Sequence, residues 1–265
     1  MNHRVLNKIL SDNTSGSTDL VLKINKFFMK NSDDFELIKN SIQKINSQVG
    51  SFEIVMEYTK KLSDFIKYAN HKELKKYLQL FEERTSNMFI KIYQNLKPFV
   101  KKRKCIFTLS NSKTVFEVLN LWYGENKNIK VVISESRPSL EGRVLAKKLL
   151  TIGVKVKLIT DANSAECISN CDVVLIGADK ILANGNVVNK TGSLSSSIAA
   201  AYYNKPLFVL SSENKFSKQT AYKKKVYNPN EIWNYKHRNL KIDNDYFEVI
   251  PKKLITKIIT EKGSY

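Results

Sequence analysis

The feature that most constrains this chain is an alternation that begins at Lys104. Short apolar runs recur at 105–109, 129–133, 154–159, 172–176 and 207–210. Segments with helical character, 113–122, 140–151 and 164–169, separate the first four, and the small-residue run 195–201 separates the last two. Strand and helix in alternation mean crossover connections and a parallel sheet. Each run also ends in polar residues. Ser110-Asn111-Ser112 follow the first, Ser134-Glu135-Ser136-Arg137-Pro138 the second and Thr160-Asp161 the third; Gly177-Ala178-Asp179 follow the fourth and Ser211-Ser212 the fifth. Ligands of open α/β sheets bind outside the carboxyl ends of the strands, so the candidate site is expected along this edge.

The first 97 residues read differently. They hold no proline and two glycines, Gly16 and Gly50, a helical composition. Apolar residues fall at helical spacing over 19–30 (Leu20, Val21, Ile24, Phe27, Phe28), 52–68 and 73–100. These stripes are core, and the helical part is expected to end near Pro98.

Composition narrows the function classes. The chain has 265 residues and 42% hydrophobic residues, enough for a substantial core. No window is apolar enough to span a membrane, and the first residues show no secretory signal. Cys105, Cys167 and Cys171 are too few for a disulfide framework, which fits a reducing, cytoplasmic compartment. Cys167 and Cys171 are spaced i,i+4, but no second pair or nearby histidine completes a metal site, and His3, His71 and His237 are dispersed. Buried thiols, no metal and no cofactor are expected. The net charge of +19 attracts phosphates non-specifically. The lysines are scattered, however, and the densest stretch, 215–225, carries no nucleic-acid motif. A phosphate-bearing small ligand or an acidic partner fits better than specific nucleic-acid binding.

The stretch 171–201 concentrates these signals. A strand-like run ends at Gly177-Ala178-Asp179, and a tight turn is expected at Asn184-Gly185-Asn186. Asn189-Lys190-Thr191-Gly192-Ser193 then open the small-residue helix. A helix start with unpaired N–H groups beside a lysine suits an anion; the plainer reading is a capped connection. A second loop, 11–17, precedes a helix and reads either as a cap at Ser17 or Thr18 or as a phosphate cradle. Asp161 reads as a possible helix cap, and Arg137 as a possible surface ion-pair residue.

Together these residues resemble a known family. Ser134-Glu135-Ser136-Arg137-Pro138, with Glu141-Gly142-Arg143, resembles the E-x-R-P-x-x-x-G segment of the initiation factor 2B α/β/δ family, which includes methylthioribose-1-phosphate isomerase and ribose-1,5-bisphosphate isomerase. Gly177-Ala178-Asp179, Asn184-Gly185 and Asn189-Lys190-x-Gly192-Ser193 resemble its G-A-D…N-G…N-K-x-G-[TS] block, and 246–263 is similar to its closing segment. The resemblance implies an α/β protein with a helical N-terminal domain, 1–100, followed by a Rossmann-like parallel-sheet domain, 101–265. It implies a homodimer, with related subunits as further partners, and an interdomain cleft for a phosphorylated sugar or nucleotide. The aromatic connector 220–235 is expected in the dimer interface. The resemblance gives Asp179 the place of the isomerases' catalytic acid. It puts Asn189 and Lys190 in the substrate cleft and Arg137 at a phosphate, with Arg143, Ser112, Gly16 and Ser17 as further substrate-binding positions.

Two departures stand out. Ser110 occupies the place of the isomerases' catalytic cysteine, and a serine needs an adjacent base to react. Ser15-Gly16-Ser17 keep the glycine of their N-terminal Arg-Gly-Ala phosphate loop but lose the arginine. Two readings follow. One is a binding protein of the initiation factor 2B type, regulatory or related to translation initiation. The alternative is an aldose–ketose isomerase of a ribose phosphate, with Asp179 as acid/base and Ser110 polarising or relaying. On residues alone, Ser110 favours the binding protein.

Overall fold

A computed structural model describes residues 2–12, 15–49 and 52–265. The chain divides into two compact units, Met1–Phe89 and Ile90–Tyr265.

The first unit is helical: α1 (Asn2–Leu10), α2 (Ser17–Lys30), α3 (Phe35–Val49), α4 (Glu53–Phe65) and the first two-thirds of α5 (His71–Val100). Residues at three- and four-residue spacing turn inward. Ile24, Phe28, Ile38, Ile45, Val55, Leu62, Leu74 and Leu78 have essentially no exposed surface. Asn25 is equally buried and bonded through both its amide and its carbonyl. Its amide donates to Leu78 O at 3.1 Å and its carbonyl accepts from Tyr58 Oη at 2.7 Å, as a buried amide must.

Helix α5 does not stop at the unit boundary, and Ile90–Val100 packs with the second unit. Asn95 Nδ2 donates to Thr260 O at 2.8 Å, Tyr93 Oη to Glu125 at 2.8 Å, and the Phe99 ring lies tilted against Phe208. Composition changes at Pro98, but packing changes one turn and more earlier. Pro98 sits in the last turn of the helix.

The second unit follows as β1 (Cys105–Thr108), α6 (Lys113–Glu125), β2 (Lys130–Ser134), α7 (Glu141–Thr151), β3 (Lys155–Ile159), α8 (Ser164–Ser169) and β4 (Val173–Ile176). Then come β5 (Lys180–Ile181), β6 (Val187–Lys190), α9 (Ser193–Tyr202), β7 (Leu207–Leu210), β8 (Phe247–Ile250), β9 (Lys257–Thr260) and β10 (Gly263–Ser264). Seven strands form one sheet in the order β10-β9-β7-β4-β1-β2-β3, parallel except for β10. The alternation predicts a parallel sheet, and the sheet is mostly parallel. Val131, Ile133, Val173, Ile176 and Val209 are fully buried along it.

The stretch after Asp179 departs from the sequence reading. Asn189 and Lys190 are the last residues of β6, in a separate antiparallel sheet β5-β6-β8, and pair with Glu248 and Phe247. They are strand residues and not a loop, because the closing segment 247–250, remote in sequence, supplies their partner. Among the described residues no helix is long and apolar enough to cross a membrane.

Candidate functional site

The strand order reverses between β1 and β4: the chain winds outward from β1 to β2 and β3, and outward from β4 to β7 and β9. Loops at such a switch point diverge and leave a crevice at the carboxyl ends. The two loops that flank it are Ser110–Ser112 and Gly177–Asp179.

Ser110 leaves β1 with φ of 62°, and Ser136, leaving β2, has the same φ. Left-handed non-glycine residues cost of order 1–3 kcal/mol each and persist when neighbours hold them. Here the Ser110 N–H donates to Ser136 Oγ at 2.7 Å. Asp161 fixes the same loop, accepting from Ser136 N at 2.8 Å and Arg137 N at 2.7 Å. Its carboxylate thus serves the β2 loop and not the short helix it begins.

Ser112 caps α6, its Oγ accepting from Val115 N at 3.3 Å. Gly177 allows the end of β4 to lie directly on it: a Cβ there would sit 2.6 Å from Ser112 Oγ and 3.8 Å from Asn189 Oδ1. Ser112, Gly177 and Asn189 therefore form one contact. Asn189 Nδ2 donates to Ser193 Oγ at 2.8 Å, and Ser193 Oγ donates to Lys190 O at 2.6 Å.

Lys190 does not offer its charge as the sequence suggests. Its Nζ lies 2.5 Å from Glu141 Oε1, with both side chains 5% exposed, and 3.8 Å from the centre of the Tyr246 ring. Burial pushes the Glu141 carboxyl above its ordinary value against the pull of Lys190. The other oxygen, Glu141 Oε2, is buried without a hydrogen-bond partner. Tyr246 is held by Ser139 Oγ at 2.8 Å and by Glu231 Oε2 at 2.5 Å; burial, then Glu231, push its hydroxyl up to about 12.

The start of α9 is likewise occupied, since Leu194 N donates to Glu248 Oε1 at 2.7 Å. The protein's own carboxylate takes the place that an anion would use. Arg143 pairs with Glu135 at 2.6 Å, and Arg137 is exposed. Gly16 and Ser17 belong to the helical unit. Gly16 caps α2 and Ser17 begins it, buried, so the cap falls one residue earlier than Ser17 or Thr18. Nearby, Ser15 Oγ lies 2.9 Å from both the Asp12 and the Asp19 carboxylates, with Lys23 balancing them. Asn13 and Thr14 of the same loop lie outside the described residues.

The cation that the sequence reading missed is Lys215, just after β7. Its side chain is buried and its Nζ donates to Ala178 O. Burial pulls the ammonium below its ordinary value while Asp179 pulls it up. Asp179, half-buried beyond β4, also acts electrostatically on Glu141, Tyr222 and Tyr227. The signal for Lys215 was present, since it follows the polar end Ser211-Ser212. By sequence alone it is only the first lysine of the dense stretch 215–225. Among the described residues no group of histidine, cysteine and carboxylate side chains is placed to hold a metal.

The chain has relatives of known sequence and fold. The chain is 34% identical over 187 residues to ribose 1,5-bisphosphate isomerase of Methanocaldococcus jannaschii, a match covering 67% of this chain and 61% of that protein. The match thus spans less than two-thirds of that relative's length. It is 26% identical over 262 residues to a putative translation initiation factor eIF-2B subunit 2-like protein of Pyrococcus abyssi, covering 98% and 94%. Its fold matches that of 5-methylthioribose 1-phosphate isomerase from Pyrococcus horikoshii, with a TM-score of 0.83, 16% identity, and 99% and 83% of the two chains covered. A family model matches residues 7–265, and the chain belongs to the initiation factor 2 subunit family.

Proposed function

We propose that the chain is an aldose–ketose isomerase of a ribose phosphate derivative, of the ribose 1,5-bisphosphate or methylthioribose 1-phosphate type. The observation that carries this is the acid–base group at the switch point: Asp179 beside the buried Lys215, with the unpartnered Glu141 Oε2 among the same residues. A buried acceptor without a donor costs free energy, and a sugar hydroxyl is a suitable donor. The relatives named as isomerases weigh against the binding-protein reading that Ser110 favours.

The reaction sets clear demands. A ribose phosphorylated at C1 has that carbon locked to the ring oxygen. Conversion to the ketose moves one hydrogen from C2 to C1 and breaks the bond between C1 and the ring oxygen. That oxygen gains a proton, and the C2 hydroxyl loses one as the carbonyl forms. C2 is oxidised and C1 reduced within one molecule. In this reading Asp179 accepts the hydroxyl proton, and Lys215 supplies positive potential along Ala178 and Asp179. Ser110, fixed by Ser136, passes its hydroxyl proton to the ring oxygen and regains one from solvent, to which Asp179 releases the proton it took. General acid–base groups of this kind contribute about 10²–10⁴-fold.

The test is turnover of both sugars by the full chain, followed by phosphorus NMR. Wild type is expected to form the ketose. Asp179→Asn is expected to lower kcat by about 10²–10⁴-fold with KM little changed. No turnover of either sugar by wild type would sink this reading.

A second reading is a phosphate-ligand binding protein of the initiation factor 2B type. It rests on Ser110 in place of the family's cysteine and on the end-to-end match with the Pyrococcus abyssi protein. It expects a thermal shift with a phosphosugar or nucleotide, worth a few kcal/mol at saturation, and no turnover. Either reading is compatible with a homodimer through 220–235, where Ile232, Trp233 and Tyr235 are exposed. A monomer mass by light scattering at micromolar concentration would remove that assembly.

A further inference from the structure

The opposite, amino end of the same sheet carries a second cluster of reactive groups that the isomerase reading does not use. Cys105 opens β1, and Cys171 lies two residues before β4, the neighbouring parallel strand. Their sulfurs lie 3.3 Å apart. A cavity of about 240 Å³ opens beside them, lined by Cys105, Cys171, Cys167 of α8, Lys130, Lys155 and Lys157. The three lysines are exposed and the three thiols buried, so the cavity has a thiol floor and a basic rim. The entries of the two strands are pinned together. Asp172 Oδ2 accepts from Lys104 N and Cys105 N, each at 2.8 Å, and Asp172 N donates to Cys105 O.

We propose that Cys105 and Cys171 form a reactive dithiol that is oxidised by small disulfides bearing carboxylates, which the basic rim draws in. The Cys105 thiolate attacks one sulfur of the disulfide RSSR, forming a Cys105–SR mixed disulfide and releasing RS⁻. Cys171 then gives up its proton to the solvent and attacks the Cys105 sulfur. The Cys105–Cys171 disulfide forms and the second RS⁻ leaves. Two thiols are oxidised and one disulfide is reduced to two thiols, with no other reactant. The sulfurs need to approach by roughly 1.2 Å to reach a bonded separation of about 2.05 Å.

Access and nearby charge choose which sulfur attacks, since Cys105 is 5% exposed and Cys171 1%. The Cys105 thiol is lowered, chiefly by its hydrogen bond with Cys171. Lys130 and Lys157 help, and burial and Asp172 oppose. Cys171 is pushed up by the same hydrogen bond and by burial. The thiolate is the nucleophile in exchange, so Cys105 attacks and Cys171 resolves. Sequence reading missed the pair because 66 residues separate the two cysteines.

The experiment treats the reduced, full-length chain with glutathione disulfide, counts thiols after denaturation, and maps the linked peptides. Two of the three thiols are expected to disappear with a mass loss of about 2 Da, as a Cys105–Cys171 link. Cys171→Ser should stop with glutathione on Cys105, Cys105→Ser should stay unmodified, and Cys167→Ser should behave as wild type. Lys130→Gln with Lys157→Gln should slow glutathione disulfide several-fold while leaving cystamine, a cationic disulfide, unslowed or faster. Survival of all three thiols would overturn the proposal, as would glutathione left unresolved on wild type or a link that involves Cys167. If the serine variants fail to fold, the wild-type map and the lysine variant still decide.

Discussion

The two ends of the parallel sheet contrast sharply. At the carboxyl end, polar groups are interlocked. Ser110 is held by Ser136, the Ser136–Arg137 loop by Asp161, Lys190 by Glu141, and Ala178 by Lys215. At the amino end, buried thiols meet exposed lysines across an open cavity. The difference teaches that charge is spent differently at each end. The carboxyl end uses it inside, at a desolvation cost, to fix geometry. The amino end leaves it in water, where it acts as a field on whatever approaches.

If that contrast is right, the largest stability effect should come from breaking the internal pair. Lys190→Met leaves Glu141 buried without its cation and should cost about 3–5 kcal/mol, read by urea unfolding. Lys190→Met combined with Glu141→Leu should recover most of it. A single variant within about 1 kcal/mol of wild type would mean that the pair behaves like a surface one. The same substitution at the other end, Lys157→Met, should change stability by less than about 0.5 kcal/mol.

The next effect is steric. Gly142 opens α7 so close to the end of β2 that a Cβ there would lie 1.8 Å from Ser134 O. Gly142→Ala should cost about 1–3 kcal/mol and weaken any ligand binding at the switch point. An unchanged melting temperature would show that the β2 loop is not held as tightly as its hydrogen bonds imply.

The smallest effect is a pH dependence. Burial holds Lys215 below the ordinary lysine value of 10.5, so the unfolded chain binds more protons than the folded one in the window between the folded value and 10.5. Stability contributed by this group therefore rises with pH through that window. The stability of wild type relative to Lys215→Met should climb as pH approaches 10.5. A flat difference would mean that Asp179 compensates the buried charge fully, which would remove the desolvated cation from the carboxyl end.

Much of this could be read from the residues because it rests on local periodicity. The buried faces of α2 and α4, the parallel strands and the polar strand ends follow from apolar spacing and from turn residues next to one another in sequence. The place of Asp179 at a strand end was legible for the same reason. Two helices, α1 and α3, were not singled out, their apolar positions being interleaved with asparagine and lysine. What only the folded chain decided are pairings between distant segments. Glu248 meets the start of α9 and Phe247 pairs with Lys190, so a lysine that reads as a loop cation becomes a strand residue facing Glu141. Lys215 turns inward onto Ala178, and Cys105 meets Cys171. No local pattern encodes these contacts. Whether a charge is offered or neutralised depends on which carboxylate the topology brings within a few ångströms, and spacing along the chain does not carry that.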